Sequence, residues 1–299
     1  MIIEVPAPPP PIVIEEPTPP LVEYHGTHHA YLIGFEDGTI RPRAEVTRAQ
    51  IATILFRLMS DEARANHWSQ TNPFADVAPG NWYNNAISTT TAAGIFAGMP
   101  DGSFQPNRAI TRAELVATIV RYMGLAPSFG TSQFNDIEGH WARGYINVAA
   151  LNTWIIGDTG LGGAFEPDRI VTRAEAAAMI NRALGRLPES QGDLLPGMRT
   201  FSDNANPNAW YFLHIQEATN SHTFLTKGDG VHETWVELLT QERPWTRLER
   251  PDSTPNDIFV GAAPIPATIV DSPDTAQEAY EDYDAYDAQE SEEVIENQN

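Results

Sequence analysis

Cysteine is absent from the 299 residues. That excludes disulfide staples and thiolate zinc sites, and it fits either an exported or a cytosolic setting. Basic residues are scarce, 18 Lys and Arg against 40 Asp and Glu, for a formal charge of −22. Wholesale nucleic-acid binding is excluded on that ground, because neutralising phosphates takes a clustered basic face. No apolar run approaches the roughly 20 residues of a membrane span. The opening Met-Ile-Ile-Glu-Val-Pro has no basic stretch followed by an apolar core. No secretory leader is read there, and an exported form is expected to be the C-terminal piece of something longer. Catalytic patterns are missing as well. There is no Gly-x-Ser-x-Gly elbow and no phosphate loop. His28 and His29 are adjacent while His140, His214, His222 and His232 are scattered, so no His-x-x-x-His pair with a third ligand emerges. No carboxylate couple recurs outside the repeated helix starts. No catalytic residue, cofactor or metal ligand is assigned.

What is present is repetition. Thr-Arg-Ala-Glu occurs at Thr111–Glu114 and Thr172–Glu175, with the near-copy Thr47-Arg48-Ala49-Gln50. Each copy opens an apolar pattern of helical period: Ile51, Leu55, Leu58; Leu115, Ile119, Tyr122; Ala176, Ile180, Leu184. The Thr and the Glu or Gln three residues on read as a capping box. The arginines Arg48, Arg112 and Arg173 are not explained by capping, because a cation at the first helical position opposes the macrodipole. Two readings stay open. A guanidinium fork beside free helix N–H groups suits a carboxylate or phosphate; alternatively the arginines form salt bridges between repeats.

Upstream of each start lies a second block. Phe74-Ala75-Asp76 with Trp82, and Phe134-Asn135-Asp136 with Trp141, precede a first amphipathic helix. A Gly/Pro loop such as Gly98 to Pro106 then leads into the second helix. The first copy begins at its loop, Gly34 to Pro42, and lacks its first helix. Phe201-Ser202-Asp203 with Trp210, Ile215 and Ala218 supplies the missing half near the other end. The C-terminal half-unit is therefore expected to fold back and complete the first repeat, since each unit otherwise leaves an apolar face open. The competing picture is an open four-element array. The ends differ in composition: eight of the 24 prolines fall within residues 1–20, and eleven acids with no Lys or Arg fall between Asp271 and Asn299. Both ends read as solvated and disordered. The expected organisation is a Pro-rich linker at 1–24, the second half of repeat 1 at 25–68, repeat 2 at 69–128, repeat 3 at 129–190, a closing half-unit at 191–260 and an acidic tail at 261–299. Trp235, Trp245 and Pro251 are expected to pack the closing half-unit, and Lys227 to Gly230 reads as a surface turn.

The composite Phe-x-Asp, Trp, Gly-x-x-Asp-Gly-x-Phe-x-Pro, Ile-Thr-Arg-Ala-Glu resembles the S-layer homology family over about residues 28–225, most closely in 74–122. The resemblance implies an all-α fold, helix–loop–helix units forming a pseudo-threefold, three-sided prism with ligand grooves between neighbouring repeats. It also implies non-catalytic, extracellular anchoring to the bacterial wall or S-layer through a secondary cell-wall polymer, often pyruvylated. By that resemblance the ligand-binding candidates are Arg48, Arg112 and Arg173, with Gly38, Gly102 and Gly163, Asp76, Asp136 and Asp203, and Trp82, Trp141 and Trp210 in support. A ketal carboxylate suits an arginine fork, and a sugar face suits an indole. Core packing is the alternative for the tryptophans, and capping for the aspartates. Departures are local: the third loop is two residues longer with Gly162 in place of Asp101, Ile40 replaces the loop Phe, and Gln50 replaces Glu. The second unit's Arg112 is the preferred single residue. The second class of function is a structural or protein-interaction repeat with salt-bridged arginines and no glycan ligand.

Overall fold

The computed structural model describes residues 26–155, 163–240, 243–254 and 257. The linker, the acidic tail and the Gly157–Gly162 part of the third loop lie outside them. The long helices α1 (Arg48–Leu58), α4 (Arg112–Tyr122) and α6 (Arg173–Leu184) all start with the capping box: Thr47, Thr111 and Thr172 accept from the backbone three residues on, and Gln50, Glu114 and Glu175 reach back. Shorter helices pack on each: α3 (Asn84–Ala92) on α1, α5 (Arg143–Leu151) on α4, and α7 (Phe212–Thr219) on α6. One buried apolar cluster runs through all three pairs, from Ile51 and Ile87 through Leu115 and Ile146 to Ile180 and Ile215.

Three extended residues just before the long helices join the repeats at the centre. Ile110 N–H donates to Val46 C=O (2.9 Å), Val171 N–H to Ile110 C=O (3.1 Å) and Val46 N–H to Val171 C=O (3.1 Å). All three side chains are buried. The cycle is closed, so each repeat uses its extended backbone to satisfy the next.

The first loop is completed from the far end of the chain. Asp76 accepts the Phe104 and Gln105 N–H groups (2.8 and 2.7 Å), and Asp136 accepts those of Phe165 and Glu166. Asp203 does the same for Ile40 and Arg41 (2.9 and 2.8 Å) across more than 160 residues. Tyr31 and Leu32 N–H both donate to Ala218 C=O, as Ile95 and Phe96 do to Thr90 C=O. Gly34 and Gly98 admit the rings of Phe201 and Phe74 so closely that a Cβ at either would collide with the ring.

The fold is mostly helical, as the repeats imply, with one addition the sequence analysis did not foresee. β1 (Gly26–His28), β2 (His222–Thr226) and β3 (Glu233–Leu238) form an antiparallel sheet in that order, with Thr27 opposite Thr223 and Leu225 opposite Thr234. The Lys227–Gly230 turn joins β2 to β3, Lys227 N–H donating to His232 C=O (2.7 Å). Two short α-helices are also described: α2 (Asp61–Asn66) follows α1, and α8 (Trp245–Glu249) lays Trp245 and Leu248 on Phe56 and Ala86.

Asp203→Ala removes a charged acceptor from two backbone donors, and about 2–3 kcal/mol of stability should be lost. Urea unfolding checks this, and Asp76→Ala and Asp136→Ala should cost similar amounts. Acid should weaken the seam at α7. Burial, with Arg182 nearby, pushes His214 down to about 4. The folded value lies below the usual one, so this contribution is complete above about pH 6.5 and is lost as pH falls toward 4. Unfolding free energies from urea titrations across that range should fall by about 2 kcal/mol, and the fall should be smaller in His214→Asn.

Candidate ligand grooves between repeats

The three helix-start arginines are beams between neighbouring repeats, and Arg48 and Arg173 also line grooves. Arg48, Arg112 and Arg173 are 3%, 6% and 3% exposed. Each Nε donates to the carbonyl of the aromatic or Ile position in the next repeat's loop: Arg48 to Phe104 (2.8 Å), Arg112 to Phe165 (2.9 Å) and Arg173 to Ile40 (2.9 Å). Arg48 Nη2 also reaches Ala97 C=O, and Arg173 Nη2 reaches Ile33 C=O. The guanidinium groups lie over Phe104, Phe165 and Phe35 at 4.7, 4.7 and 5.0 Å. Burial pushes Arg48 and Arg112 below the usual arginine value. Arg48 is also 3.7 Å from Glu114.

The expectation of free helix N–H groups beside these arginines is corrected by the geometry. Arg48 N–H and Ala49 N–H donate to Arg108 and Pro106 C=O, Arg112 and Ala113 to Arg169 and Pro167, and Arg173 and Ala174 to Ala44 and Pro42. The capping threonines take the third N–H. Among the described residues no backbone N–H of these first turns remains for an anion, because closing the ring brings the neighbouring loop's carbonyls onto them.

The other candidates divide by type. Gly38, Gly102 and Gly163 have φ of 79°, 84° and 91°, and no atom would meet a Cβ at Gly38 or Gly102, so left-handed backbone is what requires glycine there. Asp76, Asp136 and Asp203 hold the loops by both carboxylate oxygens, as above. The tryptophans are not interior: Trp141 and Trp210 are 55% and 60% exposed, and Trp82 is half-buried at the edge of the core.

A second set of arginines, ten residues into each long helix, escaped sequence reading: Arg57, Arg121 and Arg182. These occupy the last turn, where a cation is favoured by the macrodipole and draws no notice. Their shared register was the available signal. The groove at the second loop is a cleft of about 400 Å³ bounded by Arg48, Gly98, Glu114, Arg121 and Trp141. Its counterpart at the first loop uses the matching positions Arg173, Gly34, Gln50, Arg57 and Trp82, but measures only about 100 Å³ and is also walled by Thr246, Glu249 and Pro251. There Glu249 grips Arg57 through both oxygens, at 2.5 and 2.9 Å. Arg121 instead lies 4.8 Å over the Tyr145 ring and near its hydroxyl (3.3 Å), with no carboxylate in salt-bridge range among the described residues. Glu114 in the second groove is held by Arg108 at 2.5 Å and Glu175 by Arg169 at 2.6 Å. The first repeat has Ala44 and Gln50 at these positions, so the ion pair is lost as a unit.

Comparison with known proteins agrees with this geometry. The S-layer homology domain family matches residues 30–52, 73–116 and 133–177, one stretch in each repeat. These are S-layer homology repeats. The chain is 33% identical over 240 residues to cell surface glycoprotein 1 of Acetivibrio thermocellus, covering 76% of this chain and 10% of that protein. It is 32% identical over 219 residues to the cellulosome-anchoring protein of the same species, covering 72% of this chain and 47% of that protein. The surface-layer 125 kDa protein of Lysinibacillus sphaericus is 30% identical over 154 residues, half of this chain and 13% of the relative. The chain thus spans half or less of these relatives. The repeats are of a non-catalytic family whose general role is cell-surface anchoring, at the bacterial wall or S-layer. Among the described residues no helix is long and apolar enough to cross a membrane.

Arg48→Ala strands the buried Phe104 carbonyl and takes the donor from the Ala97 carbonyl beside it. The melting temperature should drop by about 8 °C, from a loss of about 3 kcal/mol. An unchanged value in thermal unfolding would show that the guanidinium does not hold the neighbouring loop.

Proposed function

We propose that this S-layer homology protein binds an anionic, pyruvylated secondary cell-wall glycan in the groove at the second loop, and so attaches to the envelope without catalysis. The observation that carries this is the contrast between matched arginines. Arg57 is neutralised by a carboxylate of the chain itself, whereas Arg121 stands in an open cleft beside an exposed indole. A carboxylate bound as Glu249 is bound would meet Arg121 through two oxygens, and Trp141 offers a stacking face to the attached sugar. Arg48 and Gly102 support the site by holding its floor and loop, with Asp76 clamping that loop from behind. Arg112, Arg173, Gly38, Gly163, Asp136, Asp203, Trp82 and Trp210 play the corresponding parts in the other two grooves, of which the first is narrowed by Glu249. The names of the relatives, an anchoring protein and surface-layer proteins, support envelope attachment as the purpose.

Pull-down by purified wall sacculi tests the reading. Arg121→Ala should lose about 10-fold or more in binding, equivalent to about 1.5–3 kcal/mol for a charged hydrogen bond, with little change in melting temperature. Acid stripping of the polymer should abolish binding by the parent protein, and Glu249→Ala should raise the number of sites by freeing the first groove. Binding that survives stripping contradicts the glycan reading and favours a protein partner.

A further inference from the structure

The closing seam gathers four potential metal ligands from four places in the sequence: His28 at the end of β1, Glu217 in α7, His222 at the start of β2 and Glu233 at the start of β3. Each offers one donor atom, and the four atoms lie within 4.8 Å of one another. His28 Nδ1 is 3.1 Å from a Glu217 oxygen and 3.4 Å from a Glu233 oxygen; His222 Nε2 is 3.3 Å from an oxygen of each. Tetrahedral zinc with bonds of about 2.0–2.1 Å separates its ligand atoms by about 3.3–3.4 Å. The four nitrogen-to-oxygen separations are therefore already close to ligand spacing, and the four donor atoms as a set lie within 4.8 Å.

The surroundings fit a cation better than a set of hydrogen bonds. His222 Nδ1 is 3.0 Å from Asn220 C=O, so this nitrogen carries the proton and donates, turning the Nε2 lone pair toward the two carboxylates. A lone pair facing two oxygen donors at 3.3 Å needs something positive between them. Glu233 is 1% exposed, yet its Oε2 accepts no hydrogen bond. Glu217 is oriented by Arg186 Nε (2.9 Å) and Trp235 Nε1 (2.9 Å), the pattern of outer partners that fixes a ligating carboxylate. Both imidazoles are set by stacking, His28 on Phe224 at 4.0 Å and His222 on Trp235 at 4.1 Å. Two carboxylates face one arginine, so a divalent ion also corrects a local excess of negative charge.

We propose that His28, Glu217, His222 and Glu233 form a structural site for a divalent transition metal, with zinc favoured by two imidazoles and two carboxylates. The site ties the strand at the start of the described chain to the segment that completes the first repeat, and so fastens the ring at its seam. It lies apart from the glycan grooves and does not depend on them.

The test uses the full chain, stripped with chelator, dialysed, and titrated with zinc chloride by calorimetry, with metal content measured after gel filtration. One equivalent should bind, and the melting temperature should rise by about 5–10 °C at a hundredfold excess over the dissociation constant. Cobalt(II) in place of zinc should give the intense visible absorption of a tetrahedral site. Glu233→Gln preserves shape and should lose the bound equivalent, the absorption and the thermal shift while remaining folded by circular dichroism; His222→Ala should behave likewise. Absence of stoichiometric zinc in the parent overturns the proposal, leaving a carboxylic acid proton shared with His222. Equal binding by parent and Glu233→Gln also overturns it, since the ion would then sit among surface acids or histidines.

Discussion

Everything in this fold depends on each repeat finishing the hydrogen bonding of its neighbour. An isolated helix–loop–helix unit would leave the N–H groups of Val46, Ile110 or Val171 unpaired, along with the carbonyls at Phe104, Phe165 or Ile40. Buried backbone groups of that kind cost about 1–3 kcal/mol each when unsatisfied. A threefold closure satisfies all of them with two contacts, one backbone and one arginine, repeated at each joint. The buried arginine suits this task because its Nε and Nη donors reach loop carbonyls while its flat face lies on an aromatic ring. The positive charge at the start of a helix, awkward for the dipole, is accepted because the neighbour's carbonyls compensate it.

Closure makes the first two grooves alike, and the segment after the sheet makes them unequal. The same joint builds matching clefts at the first and second loops, but the segment carrying Thr246, Glu249 and Pro251 crosses the first. α8 packs on Phe56 and Ala86, and its last residue pairs with Arg57. Among the described residues the second groove has no such cover, and its indole is exposed. Symmetry of the scaffold and asymmetry of the grooves therefore come from different parts of the sequence.

The repeats, the capping boxes and the partnership of the 201–219 segment with the first loop were legible because they are local patterns or direct copies. Thr47, Thr111 and Thr172 cap as their spacing dictates. The task of Arg48, Arg112 and Arg173 was not legible, since their acceptors lie 56, 53 and 133 residues away and are backbone atoms with no sequence signature. Arg121, the arginine proposed to bind in the second groove, was overlooked because a basic residue in a last helical turn is ordinary. The sheet was missed although β2 and β3 carry β-branched and aromatic residues about a glycine turn, the pattern of a hairpin. His28, Glu217, His222 and Glu233 share no local motif, and only the closed ring brings them together.

The central claim is that the ring is closed through the first repeat as firmly as through the other two. Native-state hydrogen exchange at the amides of Val46, Ile110 and Val171 measures this directly. A closed ring requires all three to exchange only through global unfolding, with matching free energies. Fast exchange at Val46 alone, whose acceptor Val171 lies across the seam, would mean an open array and would contradict the account.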